Sequence, residues 1–350
     1  MTILNRLQTL ATCAALMLSG CGAVFGPAES SPADTGKVDA RSNDEMAERK
    51  LVFGQVDAAI TANDFTALDK LEQQLLSSRA RTPSGVWKLG VYHAELQFRL
   101  AKGMDRANGC SQPGAAFAAR WLQHSPAGPA AIITAADLAL SKAWCFRGDG
   151  YAASVPAKFW PAFHAGVADA YNRLTKSRKA ASTDPEYYSV MTKVYRAKGA
   201  SQAETMTLVR EASDREPYYG RTYFAAALNF LPQWGGSMEE VDQLARFAAA
   251  KTRTSDKLGY YVRAYWTLEE CGCADMATDP DWSTLKQSMN DLVERYPAPF
   301  NAKYFMDLTC KRGDADDAMP FIRMLTPTAL SDADRIIWVD GCKQMGQTQT

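Results

Sequence analysis

Pro185 and Pro217 stand 32 residues apart, and each follows an acid and leads into paired tyrosines: Asp184-Pro185-Glu186-Tyr187-Tyr188 and Glu216-Pro217-Tyr218-Tyr219. Proline suits the first turn of a helix, where its missing N–H would have no partner in any case. Between these two starts, Lys198-Gly199 reads as a helix end and Ser201 as the cap of a second helix carrying Met206, Leu208 and Val209. The period is therefore two helices and two turns, in the low thirties of residues. A unit of that size cannot bury its apolar face alone, so it must stack on copies of itself.

The rest of the chain from Asp44 obeys the same helical spacing, and no run alternates as a strand would. Leu51, Val52, Val56, Ala59 and Ile60 form one apolar stripe, and Phe65, Leu68, Leu71, Leu75 and Leu76 form the next, joined at Asn63-Asp64. Trp87 to Leu100, Phe117 to Leu122, Ala130 to Phe146 and Phe159 to Leu174 continue the series. After Glu216-Pro217-Tyr218-Tyr219 a helix is expected to run to Phe230. It breaks at Leu231-Pro232-Gln233-Trp234-Gly235-Gly236-Ser237, where Ser237 and Glu240 fit a capping box for the following helix. We expect an all-α fold, a tetratricopeptide-like superhelical array of antiparallel helix pairs over residues 44–345, with room for two sub-blocks, 44–180 and 181–345.

Residues 1–20 hold Arg6 and no acid, followed by an apolar stretch, Leu7 to Leu18, too short to anchor stably across a bilayer. Leu18-Ser19-Gly20-Cys21 then resembles the bacterial lipoprotein signal, which implies a lipidated Cys21 as the mature N-terminus. Gly22 in place of aspartate resembles the default pattern for sorting to the outer membrane of a Gram-negative cell. Residues 21–43, rich in Gly, Pro, Ser and Ala, offer almost nothing to bury and read as a flexible tether. With 39 basic and 39 acidic residues in the whole chain, loss of the signal leaves a net charge one unit negative. No basic surplus draws nucleic acid or an anionic bilayer, so membrane contact is expected through the lipid alone.

Six cysteines remain, an even number suited to an oxidising compartment. Neighbouring helices make Cys110 with Cys145 and Cys310 with Cys342 the pairings of least cost, which leaves Cys271-Gly272-Cys273. That spacing admits a dithiol–disulfide redox pair; the plainer reading is that each joins a structural disulfide to another helix, or that one is simply buried. His93, His124 and His164 lie far apart in sequence, in no metal-ligand pattern, and neither a nucleophile elbow nor a phosphate loop is present. Glu239-Glu240 and Glu269-Glu270 are adjacent, about 100° apart around a helix, and so are poorly placed to share one reacting bond. We expect no cofactor, no metal and no catalytic residue.

Aromatic residues concentrate in the middle of the chain, with Arg215, Arg221 and Arg263 among them. Adjacent aromatics cannot all face one seam, so some should reach a surface, where tyrosine, tryptophan and arginine anchor partners. Tyr218, Tyr219, Arg221, Tyr223 and Trp234 are the expected binding surface for a protein or peptide; the plainer alternative is packing between repeats. Ser125-Pro126, Glu216-Pro217-Tyr218-Tyr219, the Trp-Gly-Gly-Ser corner, Tyr265-Trp266, Tyr296-Pro297 and Cys310-Lys311-Arg312-Gly313-Asp314 together resemble an uncharacterised bacterial helical-repeat family, over roughly residues 83 to 325. The resemblance implies architecture and carries no activity. The expected function is a membrane-tethered periplasmic lipoprotein acting as a non-catalytic binding scaffold. The rivals are an envelope enzyme, working on thiols through Cys271 and Cys273 or on peptidoglycan, and a purely structural envelope component.

Overall fold

The computed structural model describes residues 44–111, 113–276, 279–325, 339–342 and 344. The signal segment, Cys21, the tether and most of the expected last helix lie outside the described residues. Within them the fold is all-α, with fifteen α-helices: α1 (Glu45–Ala62), α2 (Phe65–Ser78), α3 (Lys88–Ala101), α4 (Pro113–His124), α5 (Pro129–Arg147), α6 (Trp160–Lys176), α7 (Arg178–Ala181), α8 (Glu186–Lys198), α9 (Gln202–Arg215), α10 (Arg221–Asn229), α11 (Met238–Asp256), α12 (Gly259–Glu270), α13 (Trp282–Arg295), α14 (Pro299–Lys311) and α15 (Ala315–Leu325). No helix among these residues is long and apolar enough to cross a membrane.

Local signals set the boundaries. Asp44 caps α1 by accepting from the Met46 and Ala47 amides, and Asn63 ends it in the left-handed conformation. Ser201 and Glu204 form a complete capping box on α9. At α11 the box is altered: Ser237 Oγ accepts from the Glu240 amide, but the Glu240 carboxylate accepts from the Ser237 hydroxyl rather than from its backbone N–H. The corner before it turns on two glycines. Gly235 has φ +85°, and a Cβ on Gly236 would collide with the Phe230 carbonyl.

Consecutive helices pair, and α10 packs between α8 and α12 while α9, α11 and α13 line one side of that row. Residues 186–194, 221–229 and 259–268 are buried all round, whereas α9, α11 and α13 each keep an exposed face. A row of helices buried on both sides needs a second cover, and the N-terminal region supplies it. Gly90 of α3 sits so close to Arg221 that a Cβ would come within 2.9 Å of its Cδ, and Trp87 meets Tyr219 edge to face at 5.3 Å.

The chain between α2 and α3 completes the cover as a buried hairpin. Thr82 N donates to Val86 O at 2.8 Å and Lys88 N to Ala80 O at 2.8 Å, with Thr82 to Trp87 all buried. Loops usually stay at the surface because buried backbone groups need partners. Here they have them: Glu45 accepts from Ser84 N, and the Ser84 carbonyl accepts from Arg263 and Asn301. Gly85, at φ +89°, lies where a Cβ would fall 2.7 Å from the Tyr296 ring. Residues more than two hundred positions apart are thus locked together, and the apolar core follows suit. One cluster runs from Val52 to Cys342, and a second joins α5 and α6 to α8 and α9, so both cross residue 180.

Candidate binding surface

The expected surface is mostly interior. Tyr218, Tyr219 and Tyr223 are each 2% exposed and Arg221 is 3% exposed. The helix that was to begin at Pro217 begins at Arg221, which leaves Tyr218 and Tyr219 in a turn. From that turn the Tyr219 hydroxyl donates to Glu186 at 2.7 Å, while Arg221 grips the same carboxylate through two bonds of 2.8 Å. Burial alone would raise the Glu186 pKa, but the Arg221 guanidinium prevails and holds it at about 2. The aromatic–arginine grouping read from the sequence as a docking site is therefore a packed ionic node, because α3 and the hairpin cover the face on which it stands.

Around that node lie further buried polar groups: His93 Nε2 and Asp184 at 2.7 Å, and Lys193 with Asp137 at 3.2 Å. His93, Gln97, Thr134, Asp137 and Glu186 line a cavity of about 10 Å³. That is room for roughly one water molecule, far short of the hundreds of Å³ that enclose a small-molecule ligand. Glu72 stands at the edge of this group. Burial first and the neighbouring Asp184 carboxylate second raise its pKa to about 10, so it holds its proton at neutral pH.

Trp234, the fifth expected residue, is half-buried, and the structure gathers unforeseen partners around it. Trp144 and Arg147 are one turn apart at the C-terminal end of α5. Arg147 donates to the carbonyls of Gly148 and Gly150 at 3.0 and 2.9 Å, drawing the following loop around itself. Trp160 then opens α6, and Phe163 one turn on packs edge-on against both Trp144, at 5.2 Å, and Trp160, at 5.7 Å. The corner between α10 and α11 brings Trp234 to within 5.8 Å of Trp144. The Arg147 guanidinium, 8% exposed, lies 5.1, 5.8 and 5.9 Å from the Trp144, Trp160 and Trp234 ring centres. Arg196 of α8 stands 5.8 Å from the Trp234 ring centre. Burial lowers the Arg147 pKa, against the pull of Asp149, and the indole faces offset part of that loss of water.

All three indoles remain half-exposed, and the patch continues past them. Arg106 stacks on Phe159 at 4.7 Å, Lys158 lies 5.1 Å from the same ring, and Tyr151 on the intervening loop is 84% exposed. The Cys110–Cys145 disulfide fastens the loop bearing Arg106 to α5, beside Trp144. Trp144 lies in a stretch that the sequence reads only as one more helix of the series, with Arg147 just past its end. Their spacing at a helix end, with Trp160 at the next helix start, is the signal that could have singled them out.

The Cys310–Cys342 bond is also formed, and Cys271 is bonded to Cys273 rather than to another helix. Cys271 caps the C-terminal end of α12 directly after Glu269 and Glu270. His124 meets the Thr66 hydroxyl at 3.1 Å and His164 packs against Trp160. Among the described residues no group of three His, Cys, Asp or Glu side chains is arranged to hold a metal ion. The chain matches no family model, no curated protein and no solved structure.

Proposed function

We propose that this chain is a bacterial lipoprotein, anchored by a lipid on Cys21 in the outer membrane and facing the periplasm. It works there as a non-catalytic scaffold that binds a protein or peptide partner, with no contact with nucleic acid. The Trp-Gly-Gly-Ser corner, by which the sequence resembles an uncharacterised helical-repeat family, contributes Trp234 to the docking surface. The observation that carries the reading is the set of three half-exposed indoles, Trp144, Trp160 and Trp234, held around one guanidinium. Tryptophan and arginine dominate the energetics of protein interfaces, and aromatic side chains left partly in water by a folded chain retain apolar area for a partner to cover.

The test is photo-crosslinking in intact cells. A photoreactive amino acid at position 234 is expected to capture a discrete partner, whereas the same group at exposed Glu239, in the first turn of α11, captures it weakly or not at all. Equal capture at both positions, or none at either, would remove Trp234 from any interface. Loss of membrane association on Cys21→Ala tests the anchor separately.

A further inference from the structure

The three disulfides differ in what they hold together. Cys110–Cys145 and Cys310–Cys342 join residues 35 and 32 positions apart, whereas Cys271–Cys273 joins residues two apart. In the loop-entropy account, the constraint a cross-link places on the unfolded chain grows with the loop it closes, so the third bond contributes least to folding. Nor is it needed to shape the turn on which it stands. Gly272, at φ +65°, follows α12 in the left-handed conformation. Its N–H donates to the Glu269 carbonyl at 2.8 Å, and the Cys273 N–H donates to the Leu268 carbonyl at 2.8 Å. These are the two backbone hydrogen bonds of a Schellman motif, which closes a helix end without a side-chain cross-link.

Reach separates the bonds as well. Cys110, Cys145, Cys271, Cys310 and Cys342 are buried, and Cys273 is half-exposed. A thiolate exchanges with a disulfide by attacking one of its sulfurs, so access decides which bond reacts and at which atom. Cys273 Sγ is the sulfur open to that attack, and Cys271 is then the one that leaves. The Cys271 sulfur already lies 3.1 Å from the Leu268 carbonyl, an acceptor for the thiol it would become. The turn itself is open: Gly272 and Asp275 are exposed, and a Cβ on Gly272 would meet nothing within 4 Å. The thiols of a folded protein can therefore approach it.

We propose that Cys271–Cys273 is an exchangeable disulfide that takes two electrons from a dithiol of a partner protein. A partner thiolate attacks Cys273 Sγ. A bond forms between those two sulfurs, the Cys271–Cys273 bond breaks, and Cys271 leaves as a thiolate that takes a proton from water. The partner's second thiolate then attacks the partner sulfur of the mixed disulfide and releases Cys273, which is protonated in turn. The partner's dithiol becomes a disulfide, giving up two electrons and, through water, two protons; this chain gains two thiols. A monothiol exchanges poorly, because Cys271, kept beside Cys273 by the turn, attacks the mixed disulfide and expels it. The exchange is stoichiometric, and it stands apart from the indole surface.

The experiment treats the full mature protein, folded in detergent, with a reduced peptide containing Cys-Gly-Pro-Cys. The reaction is stopped with N-ethylmaleimide, and the alkylated cysteines are located by mass spectrometry. Cys271 and Cys273 are expected to be alkylated, with an equal amount of peptide oxidised, at least about tenfold faster than either other disulfide opens. N-acetylcysteine at the same thiol concentration should open the bond about tenfold less, and the circular dichroism of the protein should not change. With a chromogenic aromatic disulfide, Cys273 in Cys271→Ser should be labelled at least about tenfold faster than Cys271 in Cys273→Ser.

Opening of all three bonds at one rate, no opening of Cys271–Cys273 by the peptide, equal opening by the monothiol, or faster labelling of Cys271 than of Cys273 would overturn the proposal. Loss of helical circular dichroism on reduction would do the same, by making the bond structural. If either serine variant fails to fold, the rates on the unaltered protein decide.

Discussion

Two regions of this molecule are built from the same residues and end in opposite places. At the node of Glu186, Tyr219 and Arg221, an arginine and aromatic rings meet a carboxylate and are sealed inside. At the surface of Trp144, Trp160 and Trp234, arginines and rings meet carbonyls and one another, and the rings stay half in water. What separates the two is the counter-charge. A guanidinium with a bidentate carboxylate can be withdrawn from solvent, because Coulomb attraction and hydrogen bonds offset the lost hydration. One without a carboxylate can be covered only in part, by ring faces worth about 0.5–2 kcal/mol each.

The largest effect should come from breaking the interior node. Arg221→Met removes the guanidinium and leaves Glu186 buried with Tyr219 as its remaining direct donor in the node. Removing one partner of a buried pair costs about 3–5 kcal/mol, and we expect a loss of that order in chemical denaturation. Glu186→Gln together with Arg221→Met, which removes both charges, should recover most of it. If Arg221→Met costs less than about 1 kcal/mol, the node is not the closed ionic core that its geometry describes.

A second, smaller effect separates the regions by pH. Glu72, in the polar group beside the node, is protonated in the folded state because burial and Asp184 raise its pKa from 4.5 to about 10. The folded protein therefore holds a proton that the unfolded chain releases above about 4.5. Its contribution to stability is fully present below that pH and declines as pH rises towards 10, with a slope of at most about 1.4 kcal/mol per unit. Glu72→Gln, neutral at every pH, should flatten the decline of melting temperature between pH 6 and 9. Identical pH profiles for the two proteins would mean that Glu72 is ionised in the fold.

The same contrast explains what the sequence disclosed. The helical period, the Ser201 and Ser237 caps, the breaks at Pro126 and Gly236 and the pairings Cys110–Cys145 and Cys310–Cys342 were legible, because each is decided by neighbours along the chain or by adjacent helices. Burial of Tyr218, Tyr219, Tyr223 and Arg221 was not. It is decided by the hairpin at Thr82–Trp87 and by α3, which lie more than a hundred residues away. A proline-tyrosine start looks the same whether its outer face is open or covered by a distant loop. Trp234 stands half-buried at its corner, and Trp144 and Arg147 lie at the end of a helix that the sequence reads only as one more member of the series.

The smallest effect on stability should come from the surface itself. Trp234 is half-buried and touches Trp144, Arg147 and Arg196 through ring contacts alone. It stands on a short turn whose shape is set by Pro232, Gly235 and Gly236 rather than by the indole. Truncation removes one edge-to-face pair and two cation–π contacts, each worth about 0.5–1 kcal/mol at a partly exposed site, and water can fill the space left. Trp234→Ala should therefore destabilise by about 1.5–3 kcal/mol with unchanged circular dichroism, below the loss for Arg221→Met. A cost above about 3 kcal/mol would place Trp234 with the core aromatics, whose truncation opens a cavity, and the distinction between the two regions would fail at the residue on which it rests.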